Sequence, residues 1–191
     1  MDSSSISKAV RDILVAIGEN PEREGLASTP ERVSELFGEL FSGVGVDPLD
    51  VLASATPVAA EETERGELVA LRDISFQSMC EHHLLPFEGH ASVVYSPGSA
   101  ILGLGTIATL VDVVARRPQL QERVGEMVAR ALVESGVARG ALVLIHAVHG
   151  CVTFRGPKQR LTTVTVAAEG DLAKGQARHE ALLLVGGEDW A

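Results

Sequence analysis

The chain has 191 residues, 46% of them hydrophobic and 4% aromatic, with a formal net charge of −10 at pH 7. That length and apolar content suffice for one well-buried domain with a small N-terminal appendage. The acidic balance excludes binding of polyanions by bulk electrostatics, and so few aromatics exclude a base-stacking platform for single-stranded nucleic acid, so a small-molecule partner is expected.

Residues 1–7 lack the charged start and apolar run of a signal peptide, and no apolar stretch is long enough to span a bilayer. A cytoplasmic chain without membrane contact is expected. In such a chain the two cysteines are metal ligands or free thiols rather than a disulfide.

In chain order, residues 2–7 are Ser-rich and expected to fray, and Val10, Ile13, Leu14 and Ile17 then fall at helical spacing. Gly18-Glu19-Asn20-Pro21 stops that helix. Thr29-Pro30-Glu31-Arg32 starts another, with Thr29 as the expected N-cap and an apolar stripe of Val33, Leu36, Phe37, Leu40 and Phe41. Residues 42–65 show no clear period and are expected as a linker, with Glu61-Glu62-Thr63-Glu64 a solvated acidic face. The expected division is a helical region and linker over 1–65 and an α+β domain over 66–191.

From Glu67 to Met79 the chain alternates as a strand, with Ala70, Arg72, Ile74 and Phe76 on one side and Val69, Leu71 and Asp73 on the other. Gly89 to Tyr95 is a second strand running back after Pro86. Leu104, Ile107, Leu110, Val111 and Val114 mark one helix face, and Val124, Met127, Val128, Ala131 and Leu132 a second. Residues 141–149 and 161–168 read as strands, and 174–185 as a closing helix. Two strands, two helices and two strands make an α+β domain.

The first strand delivers Cys80-Glu81-His82-His83 at its end. Cys80 and His83 are three residues apart, close enough to face one ion, and a thiolate with an imidazole suits zinc. Downstream, His149-Gly150-Cys151 supplies a second thiolate; residues two apart on a strand project together. Cys80, His83 and Cys151 would leave a fourth zinc position open for water, with His82 and His149 free for proton transfer. Two other readings stand beside this one. The cysteines can be ordinary buried thiols, or the zinc can be structural, with His82, His90 or His149 as fourth ligand. His146, in an apolar strand, reads as a core residue. Glu122 reads as a carboxylate favoured at a helix N-terminus, or as a reader of the guanine edge, whose ring N–H and amine both donate.

These segments resemble the GTP cyclohydrolase I family over roughly residues 8–185. The resemblance rests on 18–26 with Thr29-Pro30-Glu31-Arg32-Val33, on Ser78-Met79-Cys80-Glu81-His82-His83-Leu84-Leu85-Pro86-Phe87, on residues 117–123, and on His149-Gly150-Cys151 with Arg155-Gly156. It implies a tunnelling fold whose subunits join sheets into a barrel, as a homo-oligomer, a decamer, with sites between subunits. It implies Zn2+ on Cys80, His83 and Cys151, catalysis by His82 and His149, and guanine held by Gln121 and Glu122. The implied reaction is attack of water at purine C8, ring opening, loss of formate, and closure to 7,8-dihydroneopterin triphosphate.

The chain departs from the family's phosphate-binding segment. The family's Gly-Leu-Ser-Lys, with an Arg three residues on, is here Gly103-Leu104-Gly105-Thr106 with Thr109. Arg155 remains, with Lys158 and Arg160 near it in sequence. Removing one charge-assisted hydrogen bond costs roughly 1.5–3 kcal/mol, so weaker affinity for a triphosphate is expected. Three outcomes follow: an enzyme that still takes GTP, a paralogue for a purine or pterin-like substrate with fewer phosphates, whose sugar or single phosphate the Thr106 and Thr109 hydroxyls would bind, and a non-catalytic zinc-containing binder.

Overall fold

The computed structural model describes residues 1–57 and 67–186. The acidic run Glu61–Glu64 lies outside the described residues. Helix α1 (Ser3–Ala16) begins earlier than the apolar spacing predicts, and the Ser-rich start is its first turn rather than a frayed end. Asp2 explains this: its carboxylate accepts from the Ser5 backbone N–H at 3.0 Å and from Ser5 Oγ at 2.6 Å. Helix α2 (Thr29–Leu40) has Pro30 in its first turn, but Ser28 rather than Thr29 is the N-cap. The two helices pair through Ser34 Oγ, which donates to Ser3 O at 3.0 Å.

The expected linker holds more order than its composition suggests. It contains the short helix α3 (Pro48–Leu52), capped by Asp47, whose Leu52 is buried in the main core. Strand β1 (Thr56–Pro57) follows. Strands β2 (Val69–Cys80) and β3 (Pro86–Pro97) form an antiparallel pair, and β4 (Ala100–Ile101) pairs back with β1. Then come α4 (Leu104–Ala115), β5 (Pro118–Gln119), α5 (Gln121–Glu134), β6 (Ala138–His149), the single turn α6 (Gly150–Thr153), β7 (Thr162–Gly170) and α7 (Gly175–Gly186). The main sheet runs β5-β2-β3-β6-β7, antiparallel except where β5 lies parallel to β2.

Alternation in β3 and β6 divides the sheet's faces. Phe87, Ala91, Val93, Val143 and Ile145 meet α4 and α5 in the main core. Val94, Leu142 and Leu144 face the other way, under Leu172, Ala181 and Val185. The alternation predicted for β2 is broken. Its pairing with β3 shifts between Leu71 and Ile74, and Asp73 has φ +58°. The extra residue puts Val69 and Leu71 on the same core face as Ile74 and Phe76, where strict alternation set them on opposite sides. His146 is not a core residue. It pairs across the sheet with His90 on the face away from α4 and α5, and both line an open hollow of about 710 Å³.

Candidate metal centre and catalytic site

β2 ends at Cys80, and the chain turns back at once. The backbone N–H groups of His83 and Leu84 donate to Cys80 O at 3.3 and 2.8 Å, and Cys80 N–H donates to Leu85 O at 2.9 Å. Leu84 takes a left-handed φ of +49° to close this turn. The turn folds His83 over Cys80, with Nδ1 3.9 Å from Sγ. It is tied to β5 and to the start of α5: Glu81 N–H donates to Gln119 O at 3.1 Å, and Arg123 Nη1 pairs with Glu81 Oε2 at 2.6 Å.

Cys151 reaches the same place by another route than sequence reasoning supposed. β6 stops at His149, and Cys151 stands on the helical turn α6 rather than two residues along a strand. Gly150 makes that junction possible. A Cβ there would sit 2.7 Å from Pro86 O and 3.2 Å from the Phe154 ring, so a larger residue would force the two segments apart.

The ligand atoms of Cys80, His83 and Cys151 all lie within 4.8 Å of one another, a grouping unmatched among the described residues. Zinc takes thiolate at about 2.3 Å and imidazole at about 2.0–2.1 Å, which sets tetrahedral donors roughly 3.5 Å apart. Two soft sulfurs and an imidazole at these separations fit zinc. Burial, then the neighbouring Cys80, push the Cys151 thiol up. A cation between the two sulfurs reverses that preference, because it stabilises the thiolates. Arg155 Nη1 lies 2.8 Å from His83 Nε2, at the outer edge of the group. The rings of His82 and His83 are 6.2 Å apart, and both residues are exposed.

His149 sits at the last position of β6, opposite Phe87, and the two rings stack at 4.7 Å and 7°. Its Nε2 is 2.8 Å from Gln121 Oε1. Burial pushes the imidazole's pKa down, and Glu122 opposes the shift. His149 is therefore neutral at pH 7. Gln121 is the first residue of α5 and is buried against the sheet. It is 1% exposed, and its amide nitrogen is committed to Ile145 O, Thr163 O and Thr165 Oγ1, each at 3.1 Å. A guanine N–H would have to be accepted by the remaining side-chain atom, Oε1, which already faces His149. Glu122, next along in the first turn of α5, is exposed.

The residues of the divergent segment stand apart. Thr106 and Thr109 lie in the N-terminal half of α4, and Thr109 Oγ1 donates to Gly105 O at 3.1 Å. The helix's other end meets β2 two residues before Cys80, where Ser78 Oγ donates to Ala115 O at 2.6 Å. That sets the threonines roughly 9–14 Å back along the axis. No described hydrogen bond joins them to the cysteine–histidine group. Arg160 lines the hollow holding His90 and His146. Sequence reasoning missed the Arg123–Glu81 pair and the stacking of Phe87 on His149; Phe87 falls before the strand expected from Gly89 to Tyr95, and its hydrophobic ring gave no signal.

A sequence profile described as GTP cyclohydrolase I matches residues 6–185. The chain belongs to the GTP cyclohydrolase I family. It is a hydrolase of the class that acts on cyclic amidines. Three relatives bearing the name GTP cyclohydrolase 1 match it over nearly their whole length. That of Leifsonia xyli subsp. xyli is 48% identical, covering 97% of this chain and 96% of its own. That of Halalkalibacterium halodurans is 47% identical over 98% of each chain. That of Caldanaerobacter subterraneus subsp. tengcongensis is 45% identical over 97% of each. No described helix is long and apolar enough to cross a membrane.

Proposed function

We propose that this chain hydrolyses the imidazole ring of a guanine nucleotide at C8 and releases formate, with GTP as the first substrate to consider and 7,8-dihydroneopterin triphosphate as the product. One observation carries the reading: two thiols and an imidazole from distant segments converge within 4.8 Å, beside a second imidazole held in a fixed orientation. Cys80, His83 and Cys151 would hold zinc. Bound there, the metal supplies a Lewis acid that brings the pKa of water down to about 7.

The chain's own residues do the rest. His149, neutral because it is half-buried, accepts a proton at its free ring nitrogen and returns it later. His82, exposed on the same turn, is the second proton carrier. Glu122 accepts from the guanine ring N–H and exocyclic amine. Arg155 pairs with phosphate oxygens, which its planar guanidinium suits.

The tunnelling fold and its ring assembly belong to this proposal. The sheet ends in β5 and β7, and β7 leaves Val164 and Val166 each 38% exposed. A neighbouring subunit would cover that edge and bring its own α4 segment, with Thr106 and Thr109, towards the phosphates.

A specific observation favours a second reading, in which the substrate carries fewer phosphates. The first two turns of α4, residues 104–109, hold no cation, and the Thr109 hydroxyl is engaged by Gly105 O. Incubation of zinc-loaded protein with GTP, GMP, guanosine and guanine separates the readings, with formate and pterin fluorescence followed together. Turnover of GTP at low micromolar concentration supports the first reading and defeats the second. Preference for GMP or guanosine supports the second. No formate from any of them leaves a non-catalytic binder, and formate without fluorescence means that the reaction stops at the opened ring.

A further inference from the structure

The Gln121 amide has two possible orientations, and its surroundings allow one. Three polar atoms lie 3.1 Å from Nε2: Ile145 O, Thr163 O and Thr165 Oγ1. Two are carbonyl oxygens, which only accept, so the amide must turn its NH2 towards them. Oε1 is then the atom that faces His149 Nε2, 2.8 Å away. An amide oxygen only accepts as well, so His149 Nε2 must donate. A neutral imidazole has one N–H, and Nδ1 is therefore left with its lone pair. Nδ1 has no hydrogen-bond partner among the described residues.

We infer that Gln121 is a positioning residue, which fixes His149 as the Nε2–H tautomer and keeps Nδ1 as the proton-accepting atom. Packing reinforces the choice. The Phe87 ring lies parallel to the imidazole and sets the plane in which the Gln121 bond is made. The glutamine is anchored to carbonyls of both β6 and β7 at the first residue of α5, so sheet and helix hold it together. The inference assigns the Gln121 side chain to the catalytic base rather than to guanine. Its catalytic consequence rests on the proposed role of His149, but the tautomer does not.

The test uses the full-length protein labelled with 15N-histidine, above neutral pH, with His149→Asn to assign the signal. The expected nitrogen spectrum shows one protonated ring nitrogen on His149, at Nε2, and an unprotonated Nδ1. A protonated Nδ1, or a mixture of tautomers in the wild type, overturns the inference. Gln121→Met keeps the volume and removes the acceptor. It is expected to yield mixed tautomers, retained zinc, and a kcat about 10²-fold lower with KM for the guanine substrate nearly unchanged. A raised KM with unchanged kcat would mean that the side chain reads guanine, and overturns the assignment. If that variant fails to fold, the wild-type spectrum still decides. If no guanine compound is turned over, the proposed function fails while the tautomer is still read.

Discussion

Cys151 stands on a one-turn helix, and its thiol is kept protonated by burial and by Cys80 beside it. His149, two residues earlier, turns Nε2 to Gln121 Oε1 and is not one of the three residues grouped around the two sulfurs. The two residues should separate under mutation. Cys151→Ala is expected to lose stoichiometric zinc, and His149→Ala to keep it while formate release falls at least about 10²-fold; metal analysis beside the formate assay checks both. His149 also predicts a pH dependence. Its folded pKa lies below the ordinary value of about 6.5, so in the window below that value the unfolded chain takes up a proton that the folded chain refuses. His149's contribution to stability is complete above about 6.5 and is lost as pH falls through that window towards the folded pKa. The stability of the metal-free wild type, read by chemical denaturation, should therefore fall with acid more steeply than that of His149→Asn.

At the scale of elements, β3 and β6 were legible as strands from their apolar runs between turns, and α4 and α5 were legible from apolar spacing. The β2 bulge was not, because an aspartate at positive φ looks like any other strand residue until the pairing shift is seen. The bulge should have a mutational signature. Asp73→Gly is expected to leave stability unchanged or raise it by up to about 1 kcal/mol, and Asp73→Val to cost about 1–2 kcal/mol, as read by chemical denaturation. The metal cluster divides in the same way. The Cys80–His83 half was legible because its residues are close in sequence. Cys151 was legible by residue type, yet its route through α6 depends on the close approach of Gly150 to Pro86, which no spacing reveals. The burial of Gln121 was not legible, because a buried amide and an exposed one look alike in a sequence. The first turn of α1 was hidden by serines that read as a frayed end, although Asp2 caps them.

At the scale of the whole molecule, a sheet edge with exposed valines and a 104–109 segment remote from the cysteine–histidine group both favour the proposed site completed by a second copy. Sedimentation is expected to give several times the chain mass of 20.1 kDa, and a monomer at micromolar concentration would contradict the ring. The metal centre itself is tested most directly by X-ray absorption on zinc-loaded protein. The expected shell is two sulfurs at about 2.3 Å, one imidazole nitrogen at about 2.0–2.1 Å and one exchangeable oxygen. A fourth protein donor in place of that oxygen, or a protein that binds no zinc, would contradict a hydrolytic centre on Cys80, His83 and Cys151.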